Sequence, residues 1–456
     1  MMFRVLILVV LSALRLSAAT YYVRTNGSDS ADGSSGTPWL TVQKAATSAP
    51  SGSVVDVGPG TYAESVSTAN ASVDFRGNGV ATVRAFILDL TNITVQGFTL
   101  IGVTNPGGYA VYIKDGAHYS VVSNNVMDLQ NTEYVNGIAW DTDTFTSSSD
   151  TNAASFCTII TNTIKRVWGA TGMTIGGRFN LVALNTLTNF TSCDFLRLFG
   201  HTNRITQNQF LQNHAQEGVG NHVDFVQTFG DNQQTSLGHI IDRNRIYDIL
   251  DGQVCQLTMV DSFTNNQHGG WTFRNNIFED IALQGSIGIP NVSWLNNLFV
   301  RCTTNSTHVL SMAWTSNRNN PEGAVVLNNA FVDCGPTNSF NSGWYSIDVT
   351  NIVADFNLVT KNGWQAVLTN YPPTTFRWWE AHGINGGNPP FVNFASRDYR
   401  PAANSFLLNV GTNLSALFQD DFLGQTRSGW SIGPFESPGN SSSGARAVVQ
   451  NLRIIN

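Results

Sequence analysis

Two acidic residues stand at matching places in short apolar segments. DFLRL (194–198) and DFVQT (224–228) each carry a polar residue three positions after the aspartate, Arg197 and Gln227. A third segment, QVCQL (253–257), repeats the offset with Gln253 and Gln256. If the three lie side by side as strands, about 4.8 Å apart, Asp194 and Asp224 become close neighbours. Two carboxylates at that distance either split their pKa values into an acid and a base or bind a divalent cation, calcium being the expected ion. Arg197 could hold a carboxylate through two nitrogens or stabilise developing charge. His222, two residues before Asp224, and His201, just after the Arg197 segment, suit proton transfer. The catalytic candidates are therefore Asp194, Arg197, Asp224 and His222. The ligand-binding candidates are Gln227, Gln253, Gln256, Tyr112, Asn136 and His201. The plainer reading of such residues is an ordinary row of stacked polar side chains.

What would hold these segments in register is an internal repeat. A strand-like phrase, an Asn and a second apolar phrase recur as VVSNNVM, IITNTI, VALNTL, ITQNQF, IIDRNRI, WTFRNNIF, VSWLNNLF, AVVLNNAF and IVADFNLV. The matching residues are Asn125, Asn162, Asn185, Asn208, Asn244, Asn276, Asn297, Asn329 and Asn357. Spacings of 21 and 23 residues fit one turn of a solenoid, and longer spacings fit a turn with an inserted loop. Period-2 alternation buries one face of a strand, and a single turn cannot cover that face alone, so turns stack. A recurring Asn suits a corner where amides bond along the stack and where a left-handed backbone is tolerated. The spatial rows then read Tyr112, Ala139, Thr174, Arg197, Gln227, Gln256, Gly288, Ser311, Asp348 and, three residues earlier, Tyr109, Asn136, Thr171, Asp194, Asp224, Gln253, Gly285, His308, Tyr345. Both rows are expected to face outward. Insertions near 128–156 and 213–236 could wall a groove beside them. Lys165 belongs to a different part of the turn and is not expected to face it.

Composition limits the alternatives. With 24 Lys+Arg against 31 Asp+Glu and only 12% charged residues, the chain lacks the basic footprint of a nucleic-acid binder. Any anionic ligand must be held by a few local cations. Residues 1–19 read as a signal peptide, with Arg4, an apolar run from Val5 to Leu14 and a small-residue cleavage site at Ser17-Ala18-Ala19. That run is too short for a membrane anchor, so a secreted, monomeric protein without a membrane span is expected. The five cysteines are read as buried thiols, with Cys302 and Cys334 stacked in neighbouring turns. The expected organisation is one solenoid over 20–361, a covering region over 362–436 and a flexible tail over 437–456. A short helix within 38–50 (PWLTVQKAATSAP) would cap the first turn. The fold class is all-β: a single-stranded right-handed parallel β-helix with an N-terminal helical cap.

Three segments carry a resemblance. YYVRTNGSDSADGSSGTPWLTVQKA (21–45), VVDVGPGTYAESV (54–66) and DFLGQTRSGWSIGPFE (421–436) resemble the opening, first coil and closing phrase of secreted bacterial proteins of the pectate lyase-like β-helix superfamily. That superfamily hosts lyases, hydrolases, esterases, epimerases and binding proteins, so the resemblance speaks to fold more than activity. It implies a polysaccharide partner. The leading expectation is a lyase acting on a uronate-containing polysaccharide by charge neutralisation and β-elimination. The alternatives are a glycoside hydrolase or esterase on the same fold, or a carbohydrate-binding protein without turnover. The RxPxxR signature of some pectate lyases is absent. HVDFVQTFGD (222–231) is similar to a pectin methylesterase phrase, but the accompanying LGRPW is missing.

Overall fold

The structure is a computed structural model that describes residues 18–104, 107–141, 152–216, 223–229, 235–257, 268–303, 308–313, 321–335, 344–347, 351–360 and 380–436. Its strands form a right-handed parallel β-helix. Strand Thr20–Val23 opens it, followed by the helix Val42–Ser48. Thr41 caps this helix by accepting from the Lys44 N–H. Glu64 accepts from the first two helical N–H groups, Val42 and Gln43, at 2.8 Å each. These bonds satisfy donors that a helix start leaves open. Val42, Ala45 and Ala46 are buried, so the helix presents an apolar face to the first coil. It is shorter than the 38–50 segment because Asp29 binds the Leu40 and Thr41 N–H groups on one side and Pro50 follows on the other.

Each coil contributes strands to three rows. The first row includes Thr158–Ile160, Leu181–Ala183, Arg204–Thr206, Ile240–Asp242, Thr272–Arg274 and Ser293–Leu295, all parallel and in register. The second begins just after the repeated Asn and stacks Ile164, Leu187, Phe210, Ile246, Phe278, Phe299 and Phe331 in the interior. Phe278, Phe299 and Phe331 lie ring on ring with centroids 4.8 Å apart, tilted by 9° and 4°. The third row, which includes Gly108–Ile113, Val135–Trp140, Thr171–Ile175, Asp194–Leu198, Val226–Thr228, Gln256–Leu257, Gly285–Ile287 and Leu310–Ala313, carries the candidate residues.

The Asn ladder runs as expected. From Asn162 to Asn357, each Oδ1 accepts from the preceding ladder residue's N–H at 2.8–3.0 Å and from its Nδ2 at 3.0–3.1 Å. Glu380 ends the row by accepting from the Asn357 N–H and Nδ2, both at 2.9 Å. The left-handed backbone, however, is not on the ladder Asn. It falls one residue earlier, on Asn124, Thr161, Leu184, Gln207, Arg243, Asn275, Asn296, Asn328 and Phe356, with φ of 53–59°. The ladder Asn is free of that duty because its amide must enter the interior. A second left-handed corner follows four residues after the ladder, at Arg166, Asn189, Gln212, Asp248, Asp280, Arg301 and Asp333.

Residues 391–436 run back along the flank of the helix. Tyr399 OH donates to Glu279 at 2.5 Å, and Arg397 reaches Asp248, Asp280 and Glu279. Arg427 bonds Asn275, and Asn328 bonds the Thr412 carbonyl. Arg301 closes on Asp280 through Nε and Nη2, pairing opposite charges on adjacent coils. All five cysteines are free thiols and buried. Burial drives the Cys302 thiol well above its ordinary pKa, with Cys334 beside it as a second cause. No helix among the described residues is long and apolar enough to cross a membrane.

Candidate functional site

The third row positions most of the candidate residues. Ile87 pairs with Tyr112, Tyr112 with Ala139, Thr174 with Arg197, Arg197 with Gln227, and Gln227 with Gln256. Asn136 pairs with Tyr109, Asp194 with Thr171, and Asp224 bridges Gln253. The expected register therefore holds from Tyr112 to Gln256. Beyond it, Gln256 pairs with Ser286 rather than Gly288, and Ser311 pairs with Ser286 and Tyr345. In GSIGI, two glycines and two isoleucines allow either alignment, and the ladder takes the earlier one. Gly285 pairs with Leu310, which displaces His308 from the second row. Asp348 and His222 lie outside the described residues.

The two carboxylates are where sequence and structure part. Asp194 and Asp224 share a side of the sheet as expected, yet both are fully buried rather than on an exposed stripe. Along Asp194–Leu198 the residues Asp194, Phe195 and Leu196 are all buried, then Arg197 is half-buried and Leu198 buried. Period-2 alternation thus starts only at Leu196. Asp194 sits where the chain enters the strand and is tucked beneath Arg197. Its Oδ2 accepts from Arg197 Nε at 2.9 Å, and its Oδ1 accepts from the Asp224 N–H at 3.3 Å. Burial, with the Asp194 charge next to it, pushes the Cys193 thiol up to about 12. Burial and the Asp224 charge also raise the Cys255 thiol well above its ordinary pKa.

Arg197 is the half-exposed cation of this row. Its side chain is 37% exposed. The guanidinium carbon lies 5.8 Å from the centroid of Phe229, within cation–π range. Phe229 is itself set edge-on against Phe199, with centroids 5.1 Å apart, and its carbonyl meets His268 Nε2 at 3.3 Å. Among the described residues, only the Nε of Arg197 has a protein hydrogen bond, and Nη1 and Nη2 have none. Phe229 escaped sequence reasoning. The available signal was an aromatic two residues after the ladder Gln227.

The remaining candidates divide. Gln227 donates from Nε2 to Gln256 Oε1 at 2.6 Å and is mostly buried. Asn136 links neighbouring coils, accepting from the Thr171 N–H at 3.0 Å and donating to the Gly108 carbonyl at 3.1 Å. Tyr112 packs on Tyr109 with centroids 5.0 Å apart, three coils from Arg197. His201 is off the row. Its strand, Gly200–His201, belongs to a small separate sheet with Ser236–Leu237 and His268–Gly269. His201 Nε2 is 2.8 Å from Thr235 Oγ1, and burial, followed by the nearby Arg178, lowers its pKa and keeps the ring neutral. Lys165 and Arg166 lie on the second row and both pair with Asp128.

The described residues around Asp194 and Asp224 do not supply the donor set that calcium takes. Both Asp194 oxygens have protein partners, and among the described residues no three His, Cys, Asp or Glu side chains gather as ligands. Calcium takes six to eight oxygens. No step below is routed through a metal.

Residues 25–70 match a family model described as "Protein of unknown function (DUF1565)". No curated protein matches the chain. Among solved structures, pectate lyase Pel9A is similar over 92% of this chain and 97% of its own, at 15% identity and a TM-score of 0.51. XylC in complex with xylose is similar over 91% of this chain and 98% of its own, at 10% identity and a TM-score of 0.48. The fold is that of the pectate lyase-like β-helices. In this β-helix, the strip Thr174, Arg197, Gln227 and Gln256 is a stacked polar row with one half-exposed guanidinium in it.

Proposed function

We propose that this is an exported protein that acts on an acidic polysaccharide, holding a uronate carboxylate on Arg197. One observation carries the reading. Arg197 stands half-exposed on a stacked polar row, with Nε engaged by buried Asp194 and its two terminal nitrogens without a hydrogen bond among the described residues. Guanidinium forks match carboxylates through two parallel hydrogen bonds. In a charge-poor, net-acidic chain, such a fixed local cation is what an anionic polymer requires.

The reaction we propose is β-elimination. Pairing the carboxylate with Arg197 stabilises charge that develops when the C5 proton leaves. A base takes that proton, the electron pair forms a C4–C5 double bond, and the C4–oxygen bond breaks with protonation of the leaving oxygen. His201, kept neutral by burial, has the chemistry of a proton acceptor. His222 is the other candidate. A second reading, binding without turnover, is favoured by the burial of both aspartates, which leaves no exposed carboxylate beside Arg197 in the described part of this row.

The test is incubation with a panel of uronate polymers. Rising ultraviolet absorbance from unsaturated products supports the lyase. Release of reducing ends without that absorbance indicates a hydrolase. Retention of the polymer with neither signal supports the binding protein. Failure to retain or cleave any acidic polymer sinks both readings.

A further inference from the structure

We infer that Asp194 and Phe229 are positioning residues, fixing Arg197 as a planar fork so that the face selects an anionic substituent offering two coplanar oxygens. The inference rests on the reading of Arg197 as the anion anchor and adds what sets its specificity. Two contacts hold the guanidinium, and the sheet holds the backbone that carries it. Asp194 Oδ2 holds Nε at 2.9 Å from the buried side. Phe229 lies 5.8 Å from the guanidinium carbon. The strand pairings to Thr174 and Gln227 hold the Arg197 backbone in the sheet. The Nη1–Nη2 edge remains for a ligand.

Neither positioning residue is held loosely. Asp194 is fully buried, and its other oxygen takes the Asp224 N–H. Phe229 rests against Phe199, which is 2% exposed. A long arginine side chain otherwise loses much rotamer freedom when it binds. Here that freedom is already restricted, which favours a ligand matching the fork over a general attraction to negative charge.

The experiment compares retention of polygalacturonate with retention of its fully methyl-esterified form by affinity electrophoresis, for the intact protein and for Arg197→Lys, Phe229→Leu and Asp194→Asn. The intact protein should prefer the free acid. Arg197→Lys keeps a charge but loses the fork, and the preference should fall at least tenfold. Phe229→Leu should lower free-acid affinity severalfold while leaving ester affinity unchanged, a pattern that general unfolding does not produce. Asp194→Asn should resemble Phe229→Leu where its thermal unfolding stays near that of the intact protein. If it misfolds, the other two variants decide. The inference is overturned if Arg197→Lys matches the intact protein within twofold, or if Phe229→Leu lowers both affinities alike. If the intact protein shows no preference for the free acid, the anchor reading fails first.

Discussion

Replacing Asn185 with Ala tests how the stack is held. Its side chain makes four buried hydrogen bonds. Oδ1 accepts from the Asn162 N–H at 2.9 Å and Nδ2 at 3.0 Å, and Nδ2 donates to the Ile159 carbonyl at 2.9 Å and Asn208 Oδ1 at 3.0 Å. After truncation, Asn162 Nδ2 keeps Val122 and Ile160, and Asn208 Oδ1 keeps the Asn185 N–H. The groups left bare are the Asn162 N–H and that bond of the Ile159 carbonyl. At roughly 1–3 kcal/mol for each buried group left unsatisfied, the loss should be about 2–6 kcal/mol, a large part of the ~5–15 kcal/mol that holds a typical domain. Urea unfolding followed by tryptophan fluorescence should show a lower midpoint with an unchanged slope. Thr188→Ala, on the exposed side of the same coil, serves as control and should change stability by less than about 0.5 kcal/mol. A loss below about 1 kcal/mol for Asn185→Ala would mean that water or backbone relaxation replaces the amide, and the ladder argument would be wrong.

Three further outcomes are expected. Thr161 is exposed and β-branched at φ 56°, so Thr161→Asn should raise stability by about 0.5–1 kcal/mol by relieving left-handed strain; a lower unfolding midpoint would refute this. Burial holds the His268 pKa down to about 4 and that of His239 well below 6.5, the latter helped by His201 and His268. The unfolded chain therefore binds more protons below pH ~6.5, and stability should drop as pH falls from there toward about 4. His268→Asn should flatten part of that slope, and identical pH profiles for the two proteins would rule out the assignment. Glu380→Ala removes the acceptors at the end of the ladder. Amide exchange should quicken around Val353–Asp355 and Asn357 while the coil of Asn185 stays protected, since coils contact chiefly their neighbours; uniform quickening would count against an end cap.

The repeated Asn made the coil count, the parallel stacking and the register from Tyr112 to Gln256 legible, because each turn spells out the same amide requirement. The left-handed corner was misplaced by one residue. Asn is frequent at both positions, as in Asn275-Asn276 and Asn296-Asn297, and the two roles separate in coils such as Thr161-Asn162, Leu184-Asn185 and Gln207-Asn208. The burial of Asp194 and Asp224 could not be read, since it depends on where alternation begins within DFLRL and on what covers the strand entrance. Phe229 acts through Phe199 and Arg197 across a turn, a relation without periodicity. The flank path of residues 391–436 was equally hidden, because its anchors, such as Tyr399 on Glu279, join positions 120 residues apart.

Successive ladder residues are separated by as few as 21 and as many as 37 positions, yet every amide meets the next with the same geometry. The interior row thus works as an index that counts turns while ignoring how much chain each turn carries. Extra sequence placed outside the strands should lengthen the rim around the polar face without shifting any residue beneath it. Such rims are natural places to graft new recognition loops, with Arg197 and its companions left where they are.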